Sequence, residues 1–193
     1  MKRFILIAAL FLAACGGPRD IGKENMLALP SLGKTAHAGG NGGVLMLAYP
    51  TVPSDLETYR IAVTRDDGRS DYIAGARWTD FLPEILRAAL QDTLKNSGAF
   101  SFVEPDDGRI EAHYTLHTQI NKFTVSYAAA GKPPLIDVSL SFSLQQADGT
   151  ALARFTSEKK VPATANSIAA IAAAFDEAFT GVERDLTRRV AHI

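Results

Sequence analysis

Apolar and polar positions change period several times along the chain, and each change marks an element. The stretch "VLMLAYP" (44–50) is a continuous apolar run closed by proline, the pattern of a buried strand. "YRIAVTR" (59–65) alternates instead, with Tyr59, Ile61 and Val63 on one face and Arg60 and Thr64 on the other. Asp66-Asp67-Gly68 is a turn signal, and "SDYIAG" (70–75) makes the return strand. The period then lengthens. Phe81, Leu82, Ile85, Leu86, Ala89, Leu90 and Leu94 form the apolar stripe of an amphipathic helix. Thr79 is placed to cap it, Asp80 puts negative charge in its first turn, and Pro83 costs little there. Asn96-Ser97-Gly98 is a helix stop.

Beyond that helix "AFSFVEP" is a short strand ending at Pro105, followed by three longer ones at 111–127, 135–146 and 151–161. In the second of these Ile136, Val138, Leu140, Phe142 and Leu144 alternate with polar residues, and Asp148-Gly149 is the hairpin turn before the third. Ile168, Ile171, Phe175, Phe179, Val182, Leu186 and Val190 are spaced three or four apart, a long helix with one apolar face. Alternating strands need one covered face, and two amphipathic helices supply the cover. The expected fold is therefore α+β: a two-layer sandwich of a mixed or mostly antiparallel sheet with both helices on one face.

Composition adds exclusions. With 47% hydrophobic and 21% charged residues the chain has enough apolar material for one domain with its own core. A net charge of -1 leaves no basic excess to neutralise phosphates, which argues against a nucleic-acid partner. A single cysteine allows neither an intramolecular disulfide nor a cysteine-based metal cluster.

That cysteine is Cys15, and its setting is informative. Lys2 and Arg3 precede an uncharged apolar run from Phe4 to Ala14. At about 11 residues the run is too short to span a bilayer and fits a secretory signal. Its end, Leu12-Ala13-Ala14-Cys15, resembles the bacterial lipoprotein signal, in which the thiol takes up a diacylglyceryl group and becomes the mature N-terminus. Two or more acyl chains anchor a protein stably to a bilayer. Gly16 stands where an aspartate would resemble an inner-membrane retention signal, which points to the periplasmic face of the outer membrane. The expected organisation is a signal peptide at 1–14, a lipidated N-terminus and flexible tether at 15–43, and one periplasmic domain at 44–193. Within the tether, "MLALPSL" (26–32) is apolar enough to pack on the domain or to add an edge strand.

Few side chains offer chemistry. His113 and His117 share a strand face with Glu111, but nothing local fixes a fourth ligand or a general base, and the row reads as the wet side of a sheet. Ser31/Lys34 and Ser157/Lys160 fit an S-x-x-K spacing that works only at a helix start, and neither copy is at one. "DDGR" occurs at 66–69 and 106–109 with unlike flanks, so each is a turn. No catalytic residue, cofactor or metal ligand is assigned. Trp78, the sole tryptophan, follows Arg77 between a strand and a helix. It is either a plug at the edge of the core or part of an aromatic–cation pair at a protein contact.

Around this stretch the chain resembles a known family. "YRIAV" and "YIAGARWTDFLPEILRAALQDTLKNSGAFSFV", behind a lipoprotein signal, look like the ABC-type transport auxiliary lipoproteins of the PqiC-like group, through Tyr72, Arg77, Trp78, Leu94, Ser97, Gly98, Phe100 and Val103. That family commonly has a Tyr-x-Leu strand soon after the cysteine; here "MLAL" offers Met26 or Leu27 in place of the tyrosine. The resemblance implies a non-enzymatic envelope component working beside an ABC transporter whose substrate-binding subunit is an MCE-domain protein, and moving phospholipid or another hydrophobic solute between membranes. It makes Tyr72, Arg77 and Trp78 the candidate partner contacts and leaves self-association open. A second reading is an assembly or plug lipoprotein for an outer-membrane β-barrel. A lipid-anchored hydrolase lacks any nucleophile–base pair.

Overall fold

The computed structural model describes residues 24–34, 42–65, 70–127 and 132–191. In chain order they form β1 (Asn25–Leu27), β2 (Val44–Leu47), β3 (Arg60–Thr64), β4 (Ser70–Trp78), α1 (Leu82–Ser97), β5 (Phe102–Pro105), β6 (Tyr114–Ser126), β7 (Leu135–Gln146), β8 (Ala151–Pro162) and α2 (Ile168–Val190). The sheet is organised by β6. Along one edge β6 runs antiparallel to β7, which in turn pairs with β8. Along the other edge its first half pairs with β2 and its second half with β3, both parallel. The sheet therefore forks, with β5 outside β2 and with β4 and then β1 outside β3. The sheet is mixed and the architecture α+β.

The strand pattern dictates which face is dry. Opposed pairs Leu116–Leu144, Thr118–Phe142, Ile120–Leu140, Phe123–Val138 and Val125–Ile136 point inward and are buried. A bulge at Asn121 inserts one residue, so that Phe123 and Val125 stay on the same side as Leu116 and Ile120. Without it, the apolar set in the second half of β6 would face water. On the outer face Asn121 donates to Ser141 at 2.8 Å, the hydroxyls of Ser141 and Thr156 share a 2.8 Å hydrogen bond, and Lys122 reaches Asp137.

Both helices lie on the apolar face. α2 buries Ile171, Phe175, Phe179, Val182, Leu186 and Val190, most of the stripe read from spacing. Ser167 caps it by accepting from the Ala170 amide, and Arg188 and Arg189 sit in its last turn, where cations suit the helix dipole. α1 starts later than expected. Its N-cap is Phe81, not Thr79, with no side-chain cap; Asp80 instead accepts from the Phe81 amide. Phe81 thus falls outside the helix and is exposed. Gly98 ends α1 in the left-handed region, φ 67°, donating to the Lys95 carbonyl.

Two further differences lie at the β3–β4 hairpin, whose expected turn at 66–68 is outside the described residues. β4 runs on to Trp78 instead of stopping at residue 75. Ala62 pairs with Tyr72 but Arg60 with Arg77, so β4 carries extra residues between the two pairs, and Gly75 takes φ 76° within them. Tyr59 precedes β3 and is exposed, while Ala62 is buried along with Ile61 and Val63. "MLALPSL" does both things open to it. Asn25–Leu27 form an edge strand parallel to β4, and Leu29 packs against the core. Of the two residues that stand in place of the family's tyrosine, Leu27 is buried and Met26 is exposed.

Candidate functional site

The chain enters the described fold at the β1–β4 edge, and an exposed aromatic and cationic cluster stands there. Met26 lies opposite Arg77 in register. The Glu24 carboxylate is 3.1 Å from Arg77 Nε, a charge contact without the alignment of a hydrogen bond. The Arg77 guanidinium lies 5.6 Å from the centre of the Tyr59 ring, and Tyr59 meets Phe81 edge-on at 6.0 Å. Arg60, paired with Arg77 across the strands, sits 4.0 Å over Tyr72. The Tyr72 hydroxyl donates to the Asp55 carbonyl at 3.2 Å. Met26 is 56% exposed, and Tyr59 and Phe81 are each 44% exposed. Aromatic rings and arginines standing together at a surface are the residue types that dominate protein interfaces.

The expected contacts divide. Tyr72 and Arg77 are at this surface. Trp78 is not: it is 1% exposed, edge-on to Phe123 at 5.6 Å and to Phe175 at 5.1 Å, with those two rings stacked on each other. Successive strand residues point to opposite faces, so an outward Arg77 sends Trp78 into the core. The tryptophan is the plug and not the contact. Met26, Tyr59, Phe81 and Arg60 complete the cluster and were not singled out from sequence. The available signal was position, since Tyr59 and Phe81 lie one residue outside the elements whose apolar stripes they were assigned to.

Elsewhere the polar groups hold the layers together. Burial alone would raise Asp185, but hydrogen bonds from Lys159, Ser157 and Arg188 take it down to about 2. Ser157 and Lys160 point to opposite sides of β8, which separates the S-x-x-K pair; Ser31 and Lys34 are in exposed chain. His113 Nδ1 accepts from the Val44 amide at 3.2 Å, and His117 is exposed. Among the described residues no group of three or more His, Cys, Asp or Glu is placed to hold a metal ion. The 106–109 copy of "DDGR" is a turn with Gly108 at φ 73°. The other copy and Cys15 lie outside the described residues. An open groove of about 860 Å³ lies between the β4 bulge and the start of α2, lined by Val63, Tyr72, Ile73, Tyr127, Ile168 and Ile171.

The family model of the ABC-type transport auxiliary lipoprotein component matches residues 27–187. The chain belongs to this family. Among curated proteins none matches it. A crystal structure of a Xanthomonas campestris protein from the family DUF330 superposes with a TM-score of 0.75 over 84% of this chain and 91% of that one, at 23% identity. A hypothetical protein from Chlamydia trachomatis superposes with a TM-score of 0.55 over 78% of this chain and 96% of its own, at 8% identity. At such identities the likeness concerns the fold. The matched region includes Leu27, so the auxiliary-lipoprotein domain takes in the end of β1 as well as the sheet and both helices. Among the described residues no helix is long and apolar enough to cross a membrane.

Proposed function

We propose that this auxiliary lipoprotein is lipidated at Cys15, held at the periplasmic face of the outer membrane, and docks through its β1–β4 edge onto an MCE-domain subunit of an ABC-type system that moves phospholipid or another hydrophobic solute. It does no chemistry of its own. The observation that carries the reading is the Met26–Arg77–Tyr59–Phe81 cluster, exposed at the place where the chain from Cys15 enters the fold. Only eight residues separate Cys15 from Glu24. At ~3.3–3.6 Å per residue they hold this edge within about 30 Å of the anchor. A hydrophobic solute crossing an aqueous compartment needs a covered path, and a tethered docking domain fixes the end of that path at one membrane.

Fractionation and co-purification test the reading. Wild-type protein is expected in the outer-membrane fraction, bringing an MCE-domain subunit with it. Cys15→Ala is expected to leave the membrane fraction, and Tyr59→Ala with Phe81→Ala to lose the subunit while staying membrane-bound. Intact assembly in the aromatic double variant would count against this edge.

A further inference from the structure

The segment 24–34 crosses from β4 onto the helices, and one buried carboxyl lies beneath it. Its Leu27 carbonyl accepts from the Thr79 amide at 2.9 Å. Further on, the backbone of a single residue is held at both its amide and its carbonyl by α1. The Leu32 amide donates to the Thr93 hydroxyl at 2.8 Å, and the Leu32 carbonyl accepts from Asn96 Nδ2 at 2.8 Å. Thr93 in turn donates to Glu183 Oε1 on α2. Glu183 is 0% exposed, and its Oε2 has no hydrogen-bond partner. This carboxyl serves neither the proposed docking edge nor the sheet contacts of α2.

We propose that the 24–34 segment is a proton-dependent strap, seated on α1 and α2 while Glu183 is protonated and released when Glu183 ionises. An ionised Glu183 beneath the seated strap would be a buried charge with one oxygen facing no donor, an arrangement that favours the protonated form. Lifting the strap lets water reach that oxygen. Burial pushes Glu183 up to about 7, with the Thr93 hydroxyl and the Leu32 amide offsetting part of the effect. No charged group joins that balance. On the packed elements Lys34 of the strap, Asp92 of α1 and Arg184 of α2 are exposed, Lys95 of α1 pairs with Glu104, and Arg188 of α2 pairs with Asp185.

The direction follows from linkage. Seated, Glu183 holds its proton up to about 7; wetted, it returns towards the ordinary glutamate value of 4.5. Between those values the seated state binds more protons, so raising the pH favours release by up to about tenfold per unit. If Cys15 carries the proposed anchor, release also adds roughly 35 Å of chain between membrane and domain. The strap itself does not depend on that anchor.

Amide hydrogen exchange on the full chain in detergent tests this between pH 5 and 8, with each rate divided by the intrinsic rate at that pH. Protection of the Leu32 and Thr79 amides is expected to fall about tenfold per unit from pH 5 to 7 and then level off. In Glu183→Gln it is expected to stay flat and high, with Leu90 and Leu186 unchanged in both proteins. A flat wild-type profile, equal slopes in the two proteins, or loss of Leu186 protection in step with Leu32 would overturn the proposal. Should Glu183→Gln fail to fold, the wild-type slope and the Leu32–Leu186 comparison decide it alone.

Discussion

Trp78 and Phe81 are three residues apart and do opposite things. Trp78 fills the junction between the sheet and α2, touching Phe123 and Phe175. Phe81 leans on Tyr59 in water, nearly half exposed. Truncating a buried aromatic removes its transfer energy and leaves a cavity, so Trp78→Ala is expected to cost about 3–5 kcal/mol in urea unfolding. Phe81→Ala is expected to cost less than about 1 kcal/mol. A partner that reads this edge should therefore notice Phe81 more than the fold does. Equal losses of stability in the two variants would contradict this division of roles. Sequence offered both residues as apolar. It did not say which way each pointed, because that depends on where β4 ends and α1 begins, and a shift of one or two residues there reverses the answer.

Elements with a long unbroken period were legible to the residue. β7 spans Leu135–Gln146 and α2 spans Ile168–Val190, as the alternation and the three-four spacing require. What escaped was non-local. The β4 bulge answers to its pairing with β3, and the forked edge of β6 to strands distant in sequence. Neither leaves a periodic trace. The seat of the strap on α1 is of the same kind, resting on Leu32 hydrogen bonds to residues more than sixty positions away. The joint between α2 and β8 is also long-range, and it is electrostatic. Asp185 on α2 takes Lys159 at 2.7 Å and Ser157 at 2.6 Å from β8. Its carboxyl is held at about 2, below the ordinary 3.8. A lowered value stabilises the fold fully above the unfolded one and loses that contribution as pH falls through the folded one. The wild type is thus expected to lose about 2 kcal/mol at this joint between about pH 4 and pH 2. Asp185→Asn should lack that increment, so urea midpoints of the two proteins should converge on acidification. A gap that stays constant down to pH 2 would contradict it.

For the whole molecule, one end matters most. The chain from Cys15 arrives at β1, the exposed aromatic–arginine cluster lies beside it, and the opposite layer is two helices packed on an apolar sheet face. The outer face of β6, β7 and β8 carries hydroxyls, amides and paired charges. A domain with such an edge is suited to docking, in keeping with its membership of a transport auxiliary family. Photo-crosslinking in cells from position 59, with position 117 on the outer sheet face as control, tests this most directly. Adducts to an MCE-domain subunit are expected from position 59 and none from position 117. Adducts to an outer-membrane β-barrel, or the same products from both positions, would contradict it.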